Sequence, residues 1–413
     1  QIQTDTLIQN GKTSTVVYDA ASQTISSSSA QGRTGSVLLN AKGRPIQNQI
    51  TGLNPVSTEY DTRGRVQRIT ISSGTELRES LYSYYKTGAM KGYLQSITNA
   101  LSQTTNFQYD LSGRVTQQTL PDTRQINYEY DANGNLARLI PAGRPAHDFD
   151  YDGLDQEIGY LPPKLLSIVN PMTTYAYNKD RQLTLITRPD GNSITPVYNL
   201  TTSKLDSLMT PQGQTSYGYH ATSGQLNKII TPDNQQLDFT YDGFLPNSTS
   251  WTGEINGTVS QTYNNDFNLS NHNINGTYNI NYSYDNDQLL TQAGSLTLNR
   301  EVQKGGLLNG TVLGLQTTTQ SYTPFAELKN SSASYNGIEQ ISHQYSYDKL
   351  SRIKTKTETI AGNTYLYEYD YDLTGRLIGV KKDSIVTETY DYDSNNNRTH
   401  KNGTAIATYD NHD

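Results

Sequence analysis

The stretch "DFDYDG" sets Asp148, Asp150 and Asp152 at alternate positions just ahead of Gly153. A calcium loop opens this way, because the cation takes oxygen ligands from alternate residues and a bidentate Glu at the twelfth position. Here the twelfth position is Gly159, so the closing ligand is missing. "DYDSNNN", from Asp391, repeats the spacing in weaker form, with Asn402 where the Glu belongs. Gly11-Lys12-Thr13 matches the end of a phosphate loop but lacks its upstream glycine, and reads as a surface turn. The histidines, His147, His220, His272, His343, His400 and His412, are scattered. None forms a short ligand pair, and none adjoins a G-x-S-x-G nucleophile. Cysteine is absent, which removes disulfides and thiolate zinc sites. No carboxylate pair stands out as a glycosidase dyad. The expectation is a protein that is not an enzyme, with no cofactor and no metal.

The elements that carry these residues explain them better. Tyr109 begins a series that continues at Tyr130, Tyr151, Tyr177, Tyr198, Tyr219, Tyr241, Tyr263 and Tyr284, in steps of 21, 21, 26, 21, 21, 22, 22 and 21. Tyr85, Tyr60, Leu39 and Tyr18 extend it backward, and Tyr322, Tyr347, Tyr371, Tyr392 and Tyr409 extend it more loosely forward. A fixed period of this kind is the mark of a repeat architecture. Asp or Asn usually follows the tyrosine, as at Asp110, Asp131, Asp152, Asp242 and Asp372. Such a side chain opens a turn by accepting backbone N–H bonds two residues on. Gly64, Gly113, Gly134 and Gly375 stand four residues after the tyrosine, where a type I turn with a G1 bulge needs positive φ. A second turn lies half a period later, at Pro121, Pro189, Pro211 and Pro232.

Two turns per 21 residues leave room for two short strands, so the unit is a β-hairpin. "INYEYD" puts Ile126, Tyr128 and Tyr130 on one face, and Tyr365, Tyr367, Tyr369 and Tyr371 alternate in the same way. Asp148 and Asp150 alternate with Phe149 and Tyr151 on such a strand, and Asp152 is the turn opener of its unit. One hairpin is marginal alone, but about 15–17 of them stack laterally into one long sheet. That sheet twists, and with so many strands it must coil or close. Only 33% of the 413 residues are hydrophobic and 32 are tyrosine, so the sheet cannot enclose a dense aliphatic core. Rows of rings with their hydroxyls at water or at neighbours are expected instead. The net charge of -7 and the lack of a basic patch argue against nucleic acid. No apolar run is long enough to span a membrane. The opening "QIQTDTLIQN" does not read as a signal peptide.

Together, "YDTRGRV", "YDLSGRV", "RPDGNSITPVYN" and "YEYDYDLTGRLIGV" resemble the YD repeats of the Rhs family: bacterial Rhs polymorphic toxins, B and C components of ABC toxin complexes, and teneurins. The resemblance implies an all-β fold in which tandem YD hairpins form a long, spiralling antiparallel sheet, part or all of a hollow shell. It is expected to run through residues 1–413 as one continuous region, with a degenerate repeat at 285–321 around "LNREVQKGG". The family's Asp-Pro-x-Gly core segment and a following toxin domain are not found, so no autoproteolytic residue is assigned. The repeat positions Tyr109, Asp110, Gly113, Tyr130, Asp131, Gly134, Tyr151, Asp152, Tyr219, Tyr241, Asp242, Tyr371, Asp372 and Gly375 are expected to build the wall. The implied role is to encapsulate or scaffold a toxin cargo polypeptide in a bacterial secreted system. The implied partners are that cargo, the remainder of the protein's own shell or another shell subunit. A cell-surface adhesion or glycan-binding module of teneurin type is the alternative.

Overall fold

Strands form along this chain because apolar or aromatic residues alternate with polar ones over short runs, and Asx-Gly or Pro-containing turns interrupt the runs. The computed structural model describes residues 1–74, 76–163 and 171–410. His412 lies outside them. Among the described residues there are thirty-eight β-strands, all antiparallel, with each pairing joining strands consecutive in sequence. Apart from one 3-10 turn, Lys304–Gly306, no helix occurs among the described residues.

The register slips by one residue at the recurring tyrosine of unit after unit. It does so between Gln108 and Tyr109, Glu129 and Tyr130, Asp150 and Tyr151, and Asp370 and Tyr371. A bulge at this point bends the strand and strengthens its twist. The segment 285–321 keeps the hairpin order through the strands Leu290–Ala293, Leu296–Arg300, Leu308–Leu313 and Gln316–Tyr322. Its register slips between Asn299 and Arg300, so Arg300 stands where other units carry tyrosine.

The chain divides into two compact units. One comprises Gln1–Gln125 with Tyr282–Thr408. The other comprises Ile126–Asn281 with Tyr409–Asp413, of which the last three residues lie outside the described ones. Conventional core is almost absent. Among the described residues, Ala142 and Tyr390 are the buried hydrophobic ones, and no large side chain is fully buried. Backbone ladders and polar inter-repeat contacts therefore hold the fold to an unusual degree.

Candidate functional site

The Tyr-Asp turns at Asp110, Asp131, Asp152 and Asp372 close the same way. At Asp110 the backbone N–H donates to the Arg114 carbonyl at 3.0 Å, and the Gly113 N–H donates back to the Asp110 carbonyl at 3.1 Å. The carboxylate Oδ1 then accepts from the N–H groups of Ser112 and Arg114, at 2.9 and 3.0 Å. Asp372 repeats this with Thr374 and Arg376, and Asp152 with Leu154 and Gln156. In Asp131 the acceptor serves Gly134 and Asn135. Gly113, Gly134 and Gly375 have φ of +84°, +102° and +90°. Other residue types take the same slot: Asp155, Arg181, Phe267, Gln288, Ala326 and Ser351 all have φ near +60°.

The arginine that follows the turn completes it, a role the motif alone does not show. Arg114 Nε donates to Asp110 Oδ2 at 2.6 Å, and Arg376 Nε to Asp372 Oδ2 at 2.5 Å. Arg65 and Arg352 do the same with Asp61 and Asp348. The signal was present, as a basic residue four positions after each of these aspartates. The guanidinium then covers the tyrosine of the next unit: Arg65 lies 3.9 Å from the Tyr84 ring centroid, and Arg352 4.5 Å from that of Tyr371; the register slip at Tyr84 puts that residue, and not Tyr85, in the repeat slot. Backbone bonds from Arg114, followed by its side chain, hold the Asp110 carboxyl below the usual range. At Asp372 burial would raise the value, but the Arg376 and Thr374 bonds outweigh it and the net direction is down.

The tyrosine hydroxyl links one unit to the one before it. Tyr151 donates to the Leu136 carbonyl at 3.2 Å, Tyr219 to Leu205 at 2.9 Å, Tyr241 to Leu226 at 2.7 Å and Tyr371 to Ile353 at 2.8 Å. The acceptor is the first strand residue beyond the preceding turn. Arg300, in the tyrosine slot, copies the contact with its Nε on the Leu290 carbonyl at 2.9 Å. Burial pushes the Tyr151, Tyr219 and Tyr371 hydroxyls up, which keeps them neutral and able to donate. Tyr109 instead stacks on Tyr93, with centroids 5.1 Å apart, and meets Tyr85 edge-on.

The calcium-like aspartates do not converge. Asp148 takes the Arg138 guanidinium at 2.5 Å, Asp150 lies opposite Gly159 on the neighbouring strand, and Asp152 is spent on its turn. Among the described residues no group of three or more His, Cys, Asp or Glu could hold a metal ion. Tyr130, Asp131 and Gly134 share one hairpin with Asn135, while Asp242 lies at the tight turn joining Gln236–Asp242 to Leu245–Thr252.

A second polar feature joins residues far apart in sequence, within the unit of Gln1–Gln125 and Tyr282–Thr408. Arg33 binds Asp285 at 2.6 Å and Asp287 at 2.5 Å, and Ser29 donates to Asp287 at 2.6 Å. The Asn54 N–H donates to the Pro324 carbonyl at 2.8 Å, and the Lys304 N–H to Thr51 at 2.7 Å. Arg78 bridges Glu76 and Glu327, reaches Ser351 at 2.9 Å and lies 3.7 Å from the Phe325 ring centroid. Arg124 reaches Thr374 and the Ser394 carbonyl. Most partners are about 250 residues apart, so turns of early repeats lock onto turns of late ones.

This geometry positions and fastens hairpins. Among solved structures, the chain is similar to the Photorhabdus luminescens Tc holotoxin pore, with 14% identity and a TM-score of 0.60, covering 94% of this chain and 22% of that one. It is also similar to a TcdB2-TccC3-TEV structure, with 13% identity and a TM-score of 0.59, covering 96% and 27%. A TcdB2-TccC3 structure matches with 13% identity and a TM-score of 0.53, covering 89% and 25%. The chain thus spans about a quarter of the length of these neighbours. No curated protein matches it. The teneurin YD-shell family matches residues 1–413, the full length of the sequence, and the chain belongs to that family.

Proposed function

We propose that this chain is a non-enzymatic structural shell that encapsulates or scaffolds a partner polypeptide in a bacterial secreted toxin system. The observation that carries this reading is the family match over every residue, on a sheet built from one repeated hairpin. The fold likeness to Tc toxin complexes supports the toxin setting. Its action would be mechanical: a wall of paired strands keeps water and proteases from a chain that does not fold stably outside it. The wall-forming residues would be the Tyr-Asp-Gly positions from Tyr109 to Gly375. The partner would be a toxin polypeptide, the remainder of the protein's own shell or another shell subunit, and the setting would be secreted or cell-surface.

Expression with the adjoining polypeptide of its own gene cluster, followed by limited proteolysis, tests this. Protection of that polypeptide only in the presence of this chain is the expected result. Equal digestion with and without it would overturn the reading. The teneurin character of the family favours a second reading, a cell-surface adhesion module. Specific binding to one sugar class on a glycan array, with no protection of a polypeptide, would establish that reading instead.

A further inference from the structure

One sheet face in the unit of Gln1–Gln125 and Tyr282–Thr408 gathers cations on tyrosine rings. It is built by the strands Ile338–Tyr347, Ile353–Ile360, Asn363–Tyr371 and Leu377–Lys382. Register places Tyr345 opposite Lys356, Lys356 opposite Tyr367 and Tyr367 opposite Lys382, so these four share a row. Beside it, His343 lies opposite Glu358 and Glu358 opposite Tyr365. Lys356 Nζ sits 4.2 Å from the Tyr367 centroid, and Lys382 Nζ 3.6 Å from that of Tyr365 and 5.7 Å from that of Tyr367. On the adjoining strands Ile385–Tyr392 and Arg398–Lys401, the Arg398 guanidinium lies 4.2 Å from the Tyr390 centroid and Lys401 Nζ 5.9 Å from it.

The carboxylates of this face are already engaged. Glu358 accepts from Lys356 at 2.8 Å and meets His343 at 3.1 Å, and Glu388 pairs with Lys401 at 3.0 Å. Lys382 has no carboxylate within ion-pair distance among the described residues. Lys356 and Lys401 are thus matched by Glu358 and Glu388, and Lys382 adds a further cation to the face. It stands out in a chain whose net charge is -7. An ammonium resting on a ring keeps its outer side open to an anion, and the rings beside it offer stacking area at low entropic cost.

We propose that this face docks an extended acidic segment of a partner polypeptide. A carboxylate of that segment meets Lys382, and its backbone and apolar side chains lie on Tyr345, Tyr365 and Tyr367. The inference rests on the scaffold reading above and narrows the chemistry of the partner.

The whole chain is titrated with a fluorescein-labelled peptide of alternating glutamate and alanine, read by anisotropy. A lysine-alanine peptide and heparin form the other arms. Lys382 is also followed by amine-reactive labelling and mass spectrometry, with and without the acidic peptide. The expected results are binding of the acidic peptide alone, at least tenfold weaker binding by Lys382→Glu, and a Lys382 that labels in the free protein and is protected by the peptide. The labelling uses the unsubstituted protein, so it holds if the variant folds poorly. No binding at low salt, binding unchanged in Lys382→Glu, or a Lys382 that does not label or is not protected would each overturn the proposal. Heparin bound through Lys382 without peptide binding would overturn it in favour of an anionic glycan. Protease protection of a partner alongside a negative result here would leave the scaffold reading standing and remove only the acidic-segment site.

Discussion

Gly113 has two reasons to be glycine. Its φ is +84°, and a Cβ built on it would stand 2.6 Å from the Tyr93 hydroxyl. Gly113→Val should cost about 1–3 kcal/mol, the usual penalty for a side chain held at such a backbone angle. An unfolding midpoint equal to that of the parent would refute the turn assignment. The converse substitution belongs at Phe267, which holds the same slot at φ +62° with 72% of its surface exposed. Phe267→Gly should stabilise by about 1 kcal/mol, because the strain is relieved and little packing is lost. A thermal melt with no upward shift would count against it. The slot is legible in the sequence where glycine fills it. It is not legible at Phe267 or Asp155, because there the hydrogen bonds of the turn impose the angle on a residue that does not advertise it.

The hairpin is fastened to its predecessor by one hydroxyl and closed by one carboxylate. Tyr371→Phe removes the bond to the Ile353 carbonyl and should cost about 1 kcal/mol, measured by urea denaturation. An unchanged midpoint would mean that water replaces the hydroxyl at no cost. The Asp61, Asp110 and Asp372 carboxyls are all held below their ordinary range. For Asp61 and Asp110 the backbone bonds from Arg65 and Arg114 lead, whereas for Asp372 burial opposes the Arg376 and Thr374 bonds that win. A depressed folded-state value means that this stabilisation is full above the unfolded value, near about pH 4, and is lost as pH falls through the folded one. The melting temperature should therefore fall on acidification below about pH 4, and Asp110→Asn should shrink that fall. Identical acid profiles for variant and parent would refute this. Strand alternation and Asx turns were readable because they are local. The tyrosine hydroxyl bond and the arginine fold-back were not, because period-two spacing says which face a side chain occupies but not which carbonyl or carboxylate it meets.

In the larger of the two units, turns about 250 residues apart meet through buried ion pairs. Arg78 and Glu327 are each 9% exposed. Arg78→Met would leave Glu327 buried without its cation and should cost about 3 kcal/mol, with part of it recovered by adding Glu327→Gln. Equal denaturation midpoints for parent and single variant would show that the contact contributes nothing. Asp285 and Asp287 carry the same logic at Arg33. Burial acts to raise both carboxyls, yet hydrogen bonds hold them below their usual range, from Arg33 for Asp285 and from Ser29, Gln31 and Arg33 for Asp287. The sequence by itself determined the period, the hairpin, the turn chemistry and the tyrosine-bearing face, since each follows from contacts within a few residues or between consecutive strands. Only the tertiary structure decided that Arg33 meets Asp285, that Arg78 meets Glu327, and that Lys356 and Lys382 share a row with Tyr345 and Tyr367. Those meetings depend on register and on the twist and bulges summed over many intervening strands, and no local pattern encodes that sum.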